Sequence, residues 1–121
     1  MNRVLVADDA SFMRLMIRQI LVRRGGFEIM EAGNGLTAIE LYKKQRPDLV
    51  ILDITMPEAD GLQVLSEILT CDATARVIMC SALAQGEIVK EAMRRGASDF
   101  IVKPFCPDDL VQVVCKYLTC P

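Results

Sequence analysis

Five residues capable of chemistry each stand directly after a short apolar run: Asp8 and Asp9, Asp53, Ser81 and Lys103. Neighbouring strands in a sheet lie about 4.8 Å apart, so carboxylates at the ends of adjacent parallel strands converge within several ångströms. At an effective dielectric near 20, two such charges about 4 Å apart repel by roughly 4 kcal/mol, more than one lysine offsets among three carboxylates. A divalent cation relieves that repulsion. The donors are oxygens, with no His or thiolate among them. That favours a hard ion, and a small carboxylate set with room for water and phosphate suits Mg2+ better than Ca2+. Beside such a cation one carboxylate can act as a nucleophile toward phosphorus, giving an aspartyl phosphate. Asp53 is the candidate. It ends the most apolar run, Leu49-Val50-Ile51-Leu52, and Ile54-Thr55-Met56-Pro57 follows as a loop with backbone N–H groups to offer phosphate oxygens. Lys103 supplies a compact positive charge and Ser81 a hydroxyl donor.

Each of these residues also has an ordinary structural role. Asp8 or Asp9 can cap a first helix. Lys103 can be a solvated surface charge, Lys103-Pro104 a turn, and Ser81 a loop hydroxyl bonded to nearby backbone. Their joint occurrence on the same side of successive strands favours a shared site. The methionines Met13, Met16 and Met93 read as core.

The elements that must position these residues alternate short apolar runs with helix-period segments, which predicts βα units and a mostly parallel sheet. Strands are expected over Val4 to Ala7, Phe27 to Ala32, Leu49 to Leu52, Val77 to Cys80 and Phe100 to Val102, the first and third the most buried. A helix from Phe12 to Arg24 places Met13, Met16, Ile17, Ile20 and Leu21 on one face and Arg14, Arg18, Arg23 and Arg24 elsewhere. Gly25 and Gly26 end it. Asn34-Gly35 opens a second helix that runs to about Lys44 before Pro47. Asp60, with Gln63 three residues on, caps a third from Gly61 to about Leu69. A fourth runs near Glu87 to Arg95 and ends at Gly96, and a fifth starts at Pro107 with Asp108 and Asp109 at its positive end. Cys106 is a poor cap for it.

The 121 residues, 52% hydrophobic and 25% charged, make one compact domain spanning 1–121. A net charge of -2 supplies no global field for nucleic acid or anionic lipid, so neither is an expected partner. The first apolar run ends at Asp8 after a few residues, too short for a signal core or a membrane span, and a cytoplasmic protein is expected. Cys71, Cys80, Cys106, Cys115 and Cys120 show no C-x-x-C spacing and have no His to join them at zinc, so they read as small apolar residues.

Val4-Leu5-Val6-Ala7-Asp8-Asp9, Asp53 with Met56-Pro57 and Asp60-Gly61, Ser81-Ala82, Gly96-Ala97 and Lys103-Pro104-Phe105 together resemble the response-regulator receiver domain, and within it the stand-alone chemotaxis regulators. The resemblance covers essentially the whole chain. It implies a flavodoxin-like (βα)5 three-layer sandwich with a parallel five-stranded sheet of order 2-1-3-4-5. It also implies that Asp9 and Asp53 ligate Mg2+ directly, that Asp8 acts through water, and that Thr55 contributes its backbone carbonyl. Ser81 and Lys103 then grip the phosphoryl group, and Ser81 moving inward lets an aromatic on strand five rotate. Phe100 holds that place, where chemotaxis proteins often have Tyr, so a switch here works by packing without a hydroxyl. The implied partners are a histidine kinase as phosphodonor, a flagellar motor switch protein and a phosphatase, around a monomeric regulator that is not otherwise an enzyme. With no His in the chain, the phosphohistidine must belong to another protein.

Other readings share part of this pattern. The receiver half of a larger transcriptional regulator has the same residues. A Mg-dependent phosphohydrolase with an Asp nucleophile carries a second Asp two residues later, where this chain has Thr55. A flavin carrier needs a Ser/Thr-rich phosphate loop after the first strand, where this chain has two carboxylates that would repel the cofactor.

Overall fold

The computed structural model describes residues 2–54, 60–82 and 86–118. Its elements are β1 (Asn2–Ala7), α1 (Ser11–Arg24), β2 (Phe27–Ala32), α2 (Gly35–Gln45), β3 (Leu49–Asp53), α3 (Gly61–Cys71), β4 (Val77–Ser81), α4 (Gly86–Arg94), β5 (Asp99–Val102) and α5 (Pro107–Tyr117). The five strands form one parallel sheet in the order β2-β1-β3-β4-β5. This is the three-layer, flavodoxin-like arrangement that the resemblance implies.

Alternation along the strands separates two apolar layers. Leu5, Val50, Leu52, Val77 and Met79 pack with Ala38, Ile39, Tyr42, Val64, Leu65, Ile68 and Ala92 of α2, α3 and α4. Val4, Val6, Leu49, Ile51, Ile78 and Ile101 pack with Ile17, Leu21, Leu110 and Val114 of α1 and α5. Both faces of the central strands are therefore covered, which explains their unbroken apolar runs. β3 and β4 are buried along their whole length, whereas the first two residues of β1 are half-buried. Val4 to Ala7 of β1 are buried like β3, the middle strand of the order, and β4, its other neighbour, is equally covered.

Asp53 and Ser81 are the last residues of their strands, since the ladder still pairs Asp53 with Cys80 and Ser81 with Val102. Helix ends follow local chemistry. Gly25 leaves α1 at φ 87° and Gly96 follows α4 at φ 107°. Asn34 and Asp60 side chains accept from the N–H groups of Thr37 and Gln63 at 2.8 and 2.9 Å. Cys106 makes no side-chain cap, as expected.

Three readings change. Met16 is 36% exposed and Met93 44% exposed, so neither is core. Met16 faces a groove between α1 and α5, and Met93 lies on the outer face of α4. Arg14 is only 19% exposed and turns toward the sheet edge. Cys115 is disulfide-bonded, whereas Cys71, Cys80 and Cys106 carry free thiols. Absence of C-x-x-C spacing argues against a metal or redox motif, but a disulfide needs only two Cβ atoms about 4 Å apart. Cys120 lies outside the described residues.

Two tyrosines tie helices to their neighbours. Tyr42 of α2 donates to Asp72 Oδ2 after α3 at 2.9 Å, with Arg46 paired to the same carboxylate at 3.5 Å. Tyr117 of α5 donates toward the Ser98 carbonyl at 2.7 Å and lies 3.1 Å from Asp99 Oδ2. Burial, then the hydrogen bond to Asp72 and its charge, pushes the Tyr42 phenol well above its ordinary range, and burial with Asp99 raises Tyr117 in the same direction. Because the folded values are raised, the stability these phenols contribute is fully present below about pH 10 and is lost as pH rises through the folded values. Alkaline titration of the phenolate absorbance will accordingly show both tyrosines ionising at higher pH in the folded chain than in denaturant, Tyr42 the more so.

Candidate functional site

All strands of a parallel sheet end on one edge, and β1 and β3 are neighbours here, so Asp8 and Asp53 emerge side by side. Among the described residues, Asp8, Asp9 and Asp53 each offer a carboxylate oxygen, and these oxygens lie within 4.8 Å of one another. Asp8 and Asp53 are buried and Asp9 is exposed. Lys103 Nζ donates to Asp8 Oδ2 at 2.7 Å and stands 3.6 Å from Asp53 Oδ1. Burial works to lower the lysine's affinity for its proton. The Asp8 hydrogen bond and the charges of Asp53 and Asp8 outweigh it and hold the ammonium above the usual lysine range. Three carboxylates and one ammonium leave a formal charge of -2 at the site, which one divalent cation balances.

Asp8 is held from several sides. Its N–H donates to the Ala32 carbonyl of β2 at 3.0 Å, and its Oδ1 accepts from the Ala10 N–H at 2.9 Å. It does not cap α1. The cap position belongs to Ala10, which makes no side-chain cap bond, so the ordinary reading of Asp8 and Asp9 as helix caps is not what the structure shows.

Ser81 is buried at the end of β4, and its carbonyl accepts from the Lys103 N–H at 2.9 Å, tying the ends of β4 and β5 together. Cys80 lies beside it. Burial, partly offset by the Lys103 charge and reinforced by Asp53 and Asp8, pushes its thiol up to about 12, so Cys80 stays neutral and apolar near physiological pH. Phe100, on β5, is half-buried against the core layer that includes Ala92 of α4. Thr55 lies outside the described residues. The structure thus brings Asp8, Asp9, Asp53 and Lys103 together, with Ser81 on the adjoining strand end.

Two contributors escaped the sequence reading. Arg14, which the helix period placed among outward charges, reaches the Asp8 carbonyl at 2.6 Å and Glu31 Oε1 at 3.0 Å. A half-buried charge near the end of a strand, Glu31 in β2, is the signal that asks for such a partner. Gly61 is the other. Its N–H donates to the Ile54 carbonyl at 2.6 Å, and a Cβ at this position would stand 2.3 Å from the Asp53 carbonyl oxygen and 2.5 Å from Ile54 Cα. The start of α3 therefore lies directly on the backbone that carries Asp53, an approach that only glycine permits.

Comparison with known proteins follows this geometry. Residues 4–115 match the response regulator receiver domain. The chain is 52% identical over 117 residues to the chemotaxis protein CheY of Bacillus subtilis (strain 168), covering 97% of this chain and 98% of that protein. It is 47% identical over 115 residues to the protein of the same name in Thermotoga maritima, covering 95% and 96% respectively. Among solved structures, a chain of the CheX–CheY–BeF3–Mg2+ complex from Borrelia burgdorferi superposes with a TM-score of 0.91 at 41% identity, covering 95% of this chain and 87% of that one.

The Gly61 contact gives a direct test. Gly61→Ala forces α3 away from β3, and overpacking of this kind costs roughly 1–3 kcal/mol. The expected result is a lower melting temperature together with weakened Mg2+ binding, measured by calorimetry. An Asp60→Ala variant, which loses a cap worth about 1 kcal/mol without this contact, will lower stability while leaving metal binding nearly intact.

Proposed function

The chain belongs to the response regulator receiver domain family, and on that premise we propose that it takes a phosphoryl group onto Asp53 and changes its partner-binding surface in consequence. It is a chemotaxis response regulator, related to the CheY proteins over nearly its whole length. The observation that carries the proposal is the packing of three carboxylates within 4.8 Å beside one half-buried lysine. A structural ion-pair network has no need of a net charge of -2 on a buried sheet edge.

Receiver domains in general bind Mg2+, and the all-oxygen cluster fits such an ion in charge and in donor type. Asp9 and Asp53 are assigned as direct ligands, Asp8 as a ligand through water, and the Thr55 carbonyl as a further one. When bound, Mg2+ neutralises the carboxylates and withdraws charge from the phosphoryl oxygens. Asp53 supplies the nucleophile. One of its oxygens forms the new bond to phosphorus as the bond to the donor's nitrogen breaks, leaving an acyl phosphate on the chain and an unphosphorylated imidazole on the donor. Lys103, already within reach of Asp53, stabilises the transferring oxygens, and the Ser81 hydroxyl donates to one of them. The donor must be another protein, because the chain has no His. A histidine kinase is that donor on this reading.

Phe100 is assigned as the residue that converts phosphorylation into a surface change. It is half-buried against the core layer that includes Ala92 of α4, and Val102, two residues on along β5, is 42% exposed and apolar. The proposed partners are a flagellar motor switch protein and a phosphatase. In the Borrelia structure the related chain is bound to CheX. The proposed setting is the cytoplasm, with 1–121 acting as one monomeric domain whose only chemistry is its own phosphorylation and dephosphorylation.

Intact-protein mass after incubation with Mg2+ and acetyl phosphate will show one phosphoryl adduct, absent in Asp53→Asn and in a metal-free sample. An adduct of unaltered yield in Asp53→Asn would overturn the assignment. Phe100→Ala will keep the adduct but lose most of the phosphate-dependent gain in affinity for a motor switch peptide. An unchanged gain would remove Phe100 from the switch.

A further inference from the structure

Arg14 sits one turn into α1, yet its guanidinium is largely covered and spans two elements. Nε pairs with Glu31 Oε1 of β2 at 3.0 Å, and Nη1 donates to the Asp8 carbonyl at 2.6 Å. That carbonyl belongs to the peptide joining Asp8 to Asp9. Fixing its direction fixes the two torsions that set one carboxylate relative to the other. The preceding peptide is held separately, by the Asp8 N–H on Ala32.

Arg18 supplies a natural control. It pairs with the other oxygen of Glu31 at 2.7 Å and donates to the Ile29 carbonyl, inside β2, at 3.4 Å, and among the described residues it has no hydrogen bond to the acidic turn. Burial alone would raise the Glu31 carboxyl, and the hydrogen bonds from Arg18 and Arg14 outweigh it, so Glu31 is an anion at neutral pH. It anchors both guanidiniums.

We propose that Arg14 is a positioning residue for the cation site: braced on Glu31, it holds the Asp8–Asp9 peptide in the orientation that lets the carboxylates of Asp8, Asp9 and Asp53 share one ion. This rests on the reading of that cluster as a Mg2+ site. A planar fork can hold a carboxylate and a carbonyl at the same time with fixed geometry, whereas an ammonium is a point charge that cannot reproduce both.

Simple electrostatics predicts the opposite sign, which makes the proposal testable. Arg14 is a positive charge beside an acidic site, so its removal should tighten cation binding if charge were all that mattered. Partners that orient metal ligands are typically worth roughly 10–100-fold in affinity. The experiment titrates Mn2+ into the parent chain and the R14Q, R14K and R18Q variants, following the EPR signal of the free ion, with Mg2+ as competitor, well below each melting temperature. R14Q is expected to bind roughly tenfold or more weakly, R14K to be weakened although it keeps the charge, and R18Q to stay close to the parent. R14K serves as the decisive variant should R14Q fail to fold. Equal or tighter binding in R14Q, parent-like binding in R14K, or equal weakening in R18Q would each overturn the proposal. A parent chain that binds no Mn2+ and no Mg2+ would instead overturn the metal site itself.

Discussion

The mutual repulsion of three carboxylates on one sheet edge is the constraint around which the rest of this molecule is arranged. Parallel strands deliver their carboxyl ends to a common edge, and the order β2-β1-β3-β4-β5 sets the acidic turn after β1 beside Asp53 at the end of β3. An order that separated β1 from β3 would set Asp53 more than one strand spacing of about 4.8 Å from the acidic turn and ease the conflict. Lys103 then has to reach from β5, three places along the order from β1, to meet Asp8 at 2.7 Å. Only a long, unbranched stem can do this, and the small residues that end β4, Cys80 and Ser81, leave its path open. The lysine offsets one carboxylate and leaves the remaining two for a cation.

Burial sharpens the conflict. Asp8 and Asp53 are almost wholly covered, and buried charges are tolerated only when paired or metal-bound. Asp9 is the exposed member, so the site opens to solvent on its side, where a donor can approach and water can complete a coordination shell. The same edge is walled by backbone that cannot yield. Gly61 brings α3 to within contact of the Asp53 peptide, and the Lys103 N–H bonds the Ser81 carbonyl. Rigid placement of this kind lowers the reorganisation needed when charge moves onto a phosphoryl group.

Much of this was legible in the residues themselves. The βα alternation gave the five strands and the first four helices to within one or two residues at each end, and the start of the fifth helix, because buried runs and helical stripes differ in period. The acidic cluster and Lys103 were legible because reactive residues after successive apolar runs must meet on one edge. What could not be read was side-chain direction on α1. A period of 3.6 separates covered from outward faces but cannot tell that Arg14, near the boundary, turns back toward β2. Met16 and Met93 fail for a related reason: an apolar residue on a helix flank is core only if a neighbour covers it. Gly61 was legible as the start of the third helix, but the closeness of Asp53 is a tertiary fact.

Helix capping separates the parts of the chain that serve stability from those that serve the site. α2 and α3 begin with side-chain caps from Asn34 and Asp60. α1 and α5, the helices that follow the acidic turn and the lysine turn, begin at Ala10 and Cys106 with none. Two aspartates stand directly before Ala10, and either could cap a helix beginning one or two residues earlier, a contribution of about 1 kcal/mol. Instead Asp8 turns one oxygen to Lys103 and the other to the Ala10 N–H, and its carbonyl is taken by Arg14. Two good capping residues are thus withheld from the helix they precede. Departures from local rules concentrate where function requires them, and here the departure falls at the same turn as the cation-binding carboxylates. The cap that α1 lacks is the strongest local sign that Asp8 and Asp9 serve something other than the fold.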